Sequence, residues 1–256
     1  MRITRVCLSL IVTLLFVIPS YAAIDPGTIA GAWLFDEGSG TIAKDVSDNG
    51  KDGNIQGGAK WVQGKFGKAI ELNGTDAWVE VPSIGTFDEV TIATWVNTTG
   101  RVSQWRSIID NNGWSAGWVH HQLYPDNRVG FSISGNTGGD DQFGKFIFDD
   151  SQLNKWHHIA TVYSDKTKKI QFYVDGQLDV ETAWGENPGI IGPARIGSWD
   201  GGGREWQGMF DEFIILKVAL TENDVKDLMS NSLNPVTSVK PTDKLATAWG
   251  SIKTLR

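Results

Sequence analysis

The stretch Trp206–Met229, WQGMFDEFIILKVALTENDVKDLM, decides the fold. Its first half, Gln207–Leu216, crowds Phe, Ile and Leu together behind Gly208, a composition that favours a strand. Two carboxylates, Asp211 and Glu212, interrupt that apolar run. Side chains alternate along a strand, so the spacing predicts one carboxylate on each face of a sheet. A carboxylate on a packed face is costly unless it gains partners or a cation. From Thr221 the period becomes helical: Thr221 suits an N-cap, Asp224 completes a capping box, and Val225, Leu228 and Met229 share one stripe. An acid-bearing late strand followed by a short helix closes a β-sandwich and leaves room for a metal.

Working back from this stretch, the chain reads as many short strands between turns. Ile29–Asp36 is the first, and the turn-rich DVSDNGKDG (45–53) follows it. Lys68–Leu72, a turn at 73–76, and the strictly alternating AWVEV (77–81) come next. VTIATWVN (90–97), Ser107–Asp110, Trp118–Leu123, Arg128–Ser134 and Phe143–Phe148 continue the series. WHHIATVY (156–163) and KIQFYV (169–174) are strong strands, and Asp175-Gly176 is a hairpin signal leading into Gln177–Thr182. Pro193–Gly197 is a short strand, and Gly201–Gly203 is a loop before the closing strand. No helix-period segment longer than the one starting at Thr221 precedes it. The expected fold is therefore all-β, an antiparallel sandwich with one short C-terminal helix.

The ends read differently. Residues 1–22 carry two arginines, an apolar run at Val6–Ile18 too short for a comfortable span, and small residues near Ala22. This predicts a signal peptide and a secreted or cell-surface protein. The single cysteine, Cys7, falls inside it, so thiol catalysis and cysteine metal sites are excluded from the mature chain. With Arg2 and Arg5 removed, 21 basic residues face 30 acidic ones, a net charge near −9. That balance argues against nucleic acid and anionic membrane as partners. Residues 23–233 fit one domain, and 234–256 read as a proline-containing linker and short tail.

The pieces Ala32-Trp33-Leu34-Phe35-Asp36-Glu37-Gly38-Ser39-Gly40, Gly67-Lys-Ala-Ile-Glu-Leu-Asn-Gly74, Trp156-His-His-Ile-Ala160, Phe172-Tyr-Val-Asp-Gly176 and Gly208-Met-Phe-Asp-Glu-Phe213 occur in order. Together with Asp45-Val-Ser-Asp-Asn-Gly50, they resemble the laminin-G-like branch of the concanavalin A-like jelly rolls, over roughly Ala30 to Met229. The resemblance implies two curved antiparallel sheets, a calcium ion in many members, and frequent glycan binding. It places a structural calcium site at Asp36, Asn73, Asp76 and Asp211. Hard oxygen donors suit that ion. The alternative is that Asp36 and Asn73 only cap turns and Asp211 bonds backbone amides. Asp45–Gly50 also resembles the start of an EF-hand loop, but position twelve is Gln56 and no helices flank it, so it reads as an Asx turn.

Catalytic signals are weak. Related glucanases carry alternating acids on one strand, and no such run occurs here. The pairs His120-His121 and His157-His158 are strand neighbours that diverge, so neither pair can chelate one ion. Trp33, Trp78, Trp95 and Trp156 lie in patterned strands and are expected in the core. Trp105, Trp114, Trp184, Trp199 and Trp206 lie in or beside polar, glycine-rich segments. They could stack on sugars or plug the sandwich ends. The candidate ligand contacts are Trp105, Arg106, Asp110, Trp114, His120, Arg128, Trp199 and Arg204, rings to stack and polar groups to fix hydroxyls. The preferred expectation is a secreted, non-catalytic, calcium-stabilised carbohydrate-binding module. The alternatives are an adhesion protein with a protein partner at the cell surface and, less favoured, a polysaccharide-acting enzyme.

Overall fold

The computed structural model describes residues 24–100, 104–200 and 202–233; the expected signal segment and the tail from 234 lie outside the described residues. In chain order the strands are β1 (Ile29–Trp33), β2 (Ile42–Ala43), β3 (Gly53–Gln56), β4 (Lys60–Gln63), β5 (Lys68–Asn73), β6 (Trp78–Val81), β7 (Gly85–Phe87), β8 (Glu89–Thr98) and β9 (Arg106–Asn111). They continue as β10 (Val119–Leu123), β11 (Arg128–Ile133), β12 (Asp141–Ile147), β13 (His157–Ser164), β14 (Lys169–Val174), β15 (Gln177–Ala183), β16 (Gly189–Ile191), β17 (Ala194–Ile196) and β18 (Gln207–Leu216), before helix α1 (Glu222–Ser230).

Two antiparallel sheets take nearly all of these strands. The first has the order β15-β14-β13-β8-β18-β5-β4, with β1 also on β18; the second has the order β12-β11-β10-β9-β17-β6-β3-β2. The first and last strands are neighbours, with Gly31 opposite Ile215 and Trp33 opposite Phe213. Between the sheets, Trp33, Leu72, Phe210 and Phe213 meet Val79, Ile109, Phe131 and Ile196 in one apolar core. A second cluster lies on the other side of the first sheet, where Ala32, Ala93, Ala160 and Ile214 pack under Val225 and Leu228 of α1. The Thr221–Asp224 capping box starts that helix as the sequence predicts. Helix α1 thus covers the first sheet, and the second sheet keeps its outer face for other uses.

The predicted alternation of Asp211 and Glu212 is corrected by the structure. The register of β18 against β8 shifts between Asp211 and Ile214, and Glu212 has φ of 52°. This is a bulge, which adds one residue to a strand. Phe210 and Phe213 both enter the core, so both carboxylates stay on the outer side. Glu212 accepts hydrogen bonds from Ser232 Oγ (2.7 Å) and Leu233 N (2.6 Å), tying down the chain beyond α1.

The tryptophans also redistribute. Trp33 is in the core as expected, but Trp95 lies on the outer face of the first sheet, covered by Lys65 and Phe66. Trp78 and Trp156 are half-buried. Trp184 and Trp206, for which sugar stacking and plugging were both open, are buried. Trp206 packs against Phe210, and Trp184 donates Nε1–H to Gly139 O at 2.8 Å. Polar sequence flanks say little about a ring when a tight loop folds it under the sheet.

Candidate functional site

The outer face of the second sheet is built by alternation. In β10, Val119 and Leu123 point into the core, so His120 and Gln122 point out. In β11, Val129, Phe131 and Ile133 point in and Ser132 points out. In β17, Ala194 and Ile196 point in and Arg195 points out. Strand register then sets these residues in one line: Asp141 opposite Ser132, Ser132 opposite His120, His120 opposite Asp110, Asp110 opposite Arg195, and Arg195 opposite Glu80. The six strands place about 24 Å between the ends of this polar row.

A cleft of about 310 Å³ opens over one end of the row. Trp105, Trp114 and Trp199 stand around it, with His120, Gln122 and Arg204 as its inner wall and Tyr124, Ser132, Asp140 and Asp141 opposite. Trp105 and Trp114 are 43% and 41% exposed, two of the four large apolar side chains left open to solvent among the described residues. Such exposure is informative when the rings share one cavity.

His120 is held from three sides. Its Nε2–H donates to Gly113 O (2.9 Å), its Nδ1 accepts from Arg204 Nη1 (3.0 Å), and its ring lies 4.3 Å from that of Trp114. Acceptance at Nδ1 requires the neutral ring, and burial pushes its pKa down to about 4. The guanidinium of Arg204 stacks over Trp199 at 4.2 Å and reaches Asp110 Oδ2 at 3.5 Å. Arg204 itself sits at φ of 66°, a left-handed conformation rare outside glycine, and its carbonyl accepts from Ser107 N at 2.8 Å. Strain of this kind persists where the surroundings over-determine it. Asp110 is fully buried beneath, bonded by Gln122 Nε2 at 2.6 Å, and burial pushes its pKa up to about 7. Opposite, Asp141 Oδ1 accepts from Ser132 Oγ and from Tyr124 Oη.

Of the predicted contacts, Trp105, Trp114, His120, Trp199 and Arg204 line the cleft, and Asp110 lies under it. Arg106 and Arg128 do not line it. Arg106 donates to Gly100 O (3.0 Å), and Arg128 pairs with Asp126 (2.6 Å) and lies over Phe143. Gln122, Tyr124, Ser132, Asp140 and Asp141 went unpredicted. For Ser132 the signal was present, as the one polar residue between Phe131 and Ile133.

The polar groups of the cleft are bonded mainly to one another. His120 and Ser132 are cross-strand neighbours, yet both ring nitrogens of His120 are committed elsewhere, and the Ser132 hydroxyl donates to Asp141 instead. Asp110 and Asp141 lie three strands apart, about 14 Å of backbone. Paired glycosidase carboxyls lie closer, within about 9.5 Å. His157 and His158 diverge as expected, one bonded to Asp175 and the other set edge-to-face against Trp95.

The four expected metal ligands do not gather into one site. Asn73 and Asp76 form an Asx turn at one end of β5, where Asn73 Oδ1 accepts from Thr75 N, Asp76 N and Ala77 N. Asp36 and Asp211 lie at the other end, about 17 Å along the strand. There Asp36 Oδ1 accepts from Lys68 N (2.6 Å) and Asp211 Oδ2 from Phe66 N (2.9 Å). Among the described residues no three His, Cys, Asp or Glu side chains form a metal cage. One observation does fit a cation: Asp211 Oδ1 is buried with no hydrogen-bond partner. Burial, then the charges of Glu212 and Asp36, push the Asp211 pKa up to about 7.

The comparisons with known proteins agree on the architecture. A family model described as the concanavalin A-like lectin/glucanases superfamily matches residues 73–226. No curated protein matches the sequence. Among solved structures, the chain is similar to domain 4 of AbnA, a GH43 extracellular arabinanase from Geobacillus stearothermophilus, in complex with arabinotriose. The identity is 18% and the TM-score 0.59, covering 79% of this chain and 98% of that one. It is also similar to the binding domain of botulinum neurotoxin DC in complex with rat synaptotagmin II. There the identity is 14% and the TM-score 0.63, covering 80% of this chain and 52% of that one. The chain thus spans about half of the neurotoxin fragment. At these identities the likeness is one of fold.

Proposed function

We propose that this chain, which belongs to the concanavalin A-like lectin/glucanases superfamily, is a non-catalytic module that binds uncharged glycan outside the cell. The observation that carries the reading is the cleft itself. Three indole rings surround a floor of polar groups already fixed by their own hydrogen bonds. Sugars offer C–H faces to such rings and hydroxyls to such groups. A prearranged site loses little entropy on binding. Domain 4 of the arabinanase, in complex with arabinotriose, supports a sugar as the ligand.

Charge selects among glycans. Arg204, the cation of the cleft, is paired with Asp110, whereas Asp140 and Asp141 have no ion-pair partner among the described residues. The cleft therefore disfavours uronic or sialic acids. A glycan array probed with the full chain tests the reading. Retention on at least one neutral glycan, with acidic glycans blank, is expected. An array blank throughout contradicts it.

We also propose a stabilising calcium ion held by Asp36 and Asp211, without Asn73 and Asp76. The carboxylates would supply hard anionic oxygens, and the ion would neutralise the unpartnered Asp211 oxygen. The sign of the pH effect follows from the raised pKa of Asp211. Between about pH 4 and pH 7 the unfolded state ionises this carboxyl more readily than the folded state does, so its contribution to stability falls as pH rises. Asp211→Asn removes that loss. In EDTA, the melting temperature of the variant relative to wild type should therefore improve from pH 4.5 to pH 7.5. Calcium at ten times its dissociation constant should add about 1.4 kcal/mol to the wild type at pH 7.5 and nothing to the variant. An equal calcium effect on both proteins contradicts this site.

A further inference from the structure

We propose that the binding surface extends past the cleft to a second station made of Trp78, Glu80 and Arg195, and that its ligand is a linear, uncharged glycan chain lying across the strands. The proposal rests on the glycan reading of the cleft and adds to it where the chain goes.

The polar row sets the direction. It continues from His120 and Asp110 to Arg195 and Glu80, and Asn54 of β3 stands opposite Glu80 at its far end. Neighbouring strands lie about 4.8 Å apart, close to the advance of one sugar in an extended chain. A glycan crossing the strands meets a new side chain of the row at roughly every residue. A chain running along a strand would leave the row at once.

The second station is assembled like the first. The guanidinium of Arg195 lies 4.6 Å over the Trp78 ring and bonds Glu80 Oε2 at 2.9 Å. Trp78 Nε1–H donates to the same oxygen at 3.1 Å, and Asn112 Nδ2 donates to Glu80 Oε1 at 2.7 Å. Trp78, Glu80 and Arg195 are all half-buried, and Asn54 is exposed, so the group is reachable from solvent. Among the described residues Arg195 bonds through Nε and Nη1, which leaves further N–H groups for sugar hydroxyls.

Two links join the stations. Arg195 Nη1 donates to the backbone oxygen of Trp199, whose ring belongs to the cleft. Asn112 holds Glu80 while the next residue, Gly113, holds His120. Both stations therefore hang on the same short segment leading to Trp114. Each station pairs its cation with a carboxylate, Arg195 with Glu80 and Arg204 with Asp110, so neither offers an unpaired cation to an acidic sugar.

The test is calorimetric titration of the full chain with arabino-, xylo- and glucooligosaccharides of two to six residues. For at least one series, affinity should rise at least tenfold from disaccharide to hexasaccharide. Trp78→Ala should erase that rise and leave disaccharide affinity unchanged, which also shows that the variant is folded. Arg195→Lys, which keeps the charge and loses the planar fork, should lower hexasaccharide affinity in the same selective way, and serves if Trp78→Ala does not fold. Affinity independent of length, or a length effect that survives both substitutions, overturns the second station and leaves the cleft reading standing. Wild-type protein that binds no member of any series overturns both.

Discussion

Arg204→Met should lower unfolding stability by about 1.4 kcal/mol more at pH 8 than at pH 5. The reason is Asp110, fully buried, with Arg204 as its cation and a pKa pushed up to about 7. Below pH 6 the carboxyl is protonated and loses little when the guanidinium goes. Above pH 7 the folded variant must hold a buried charge without its partner, or hold a proton against the solvent. Removing the cation raises the Asp110 pKa further, so the gap between variant and wild type opens as pH rises. Urea unfolding at the two pH values measures it. Asp110→Asn in the same chain should recover most of the loss at pH 8. A gap that does not change with pH would mean that Arg204 acts by packing on Trp199 alone.

The second large effect is on binding. Trp114→Ala should weaken glycan affinity about thirtyfold, the roughly 2 kcal/mol of an aromatic hot spot. Its melting temperature should stay within a degree or two of wild type. The ring is 41% exposed and packs on His120, so its removal leaves the inter-sheet core intact. Truncating Trp33, which is fully buried, would have the opposite profile and cost about 3–5 kcal/mol of stability. Titration calorimetry and thermal melts on the Trp114 variant separate the two outcomes. Unchanged affinity would remove the indole from the binding surface.

The strongest strands were legible because their pattern and their burial agree. KIQFYV and the closing strand occur with the predicted bounds, Lys169–Val174 and Gln207–Leu216, and the capping box at Thr221 starts the helix. The short strands β2, β3, β7 and β16 escaped notice because two to four residues carry too little periodicity to rise above their turns. Asp211 and Glu212 were misplaced because strict alternation holds only without a bulge, and a left-handed glutamate leaves no mark in composition. The metal set failed for a related reason. Strand β18 does pair with β5, but the register sets Asn73 opposite Gln207 and carries Asp211 past Ile70, so most of a strand's length separates Asn73 and Asp76 from Asp211.

Half of the cleft was legible and half was not. Trp105, Trp114 and Trp199 stood out as rings in polar loops, yet Trp184 and Trp206 looked the same and are buried. What distinguishes them is the sheet beneath, which only register reveals. The polar row is the clearest case. Its six members are scattered between Glu80 and Arg195 in sequence, and each is ordinary alone.

The most direct test of the account is the set of indole N–H signals of the labelled protein, followed by NMR during titration with a neutral oligosaccharide retained on the array. The signals of Trp105, Trp114 and Trp199 should move together and saturate with one dissociation constant, while Trp33 and Trp206 stay fixed. Movement confined to other tryptophans, or no movement at a concentration where calorimetry shows binding, would place the glycan elsewhere and contradict the cleft as the binding site.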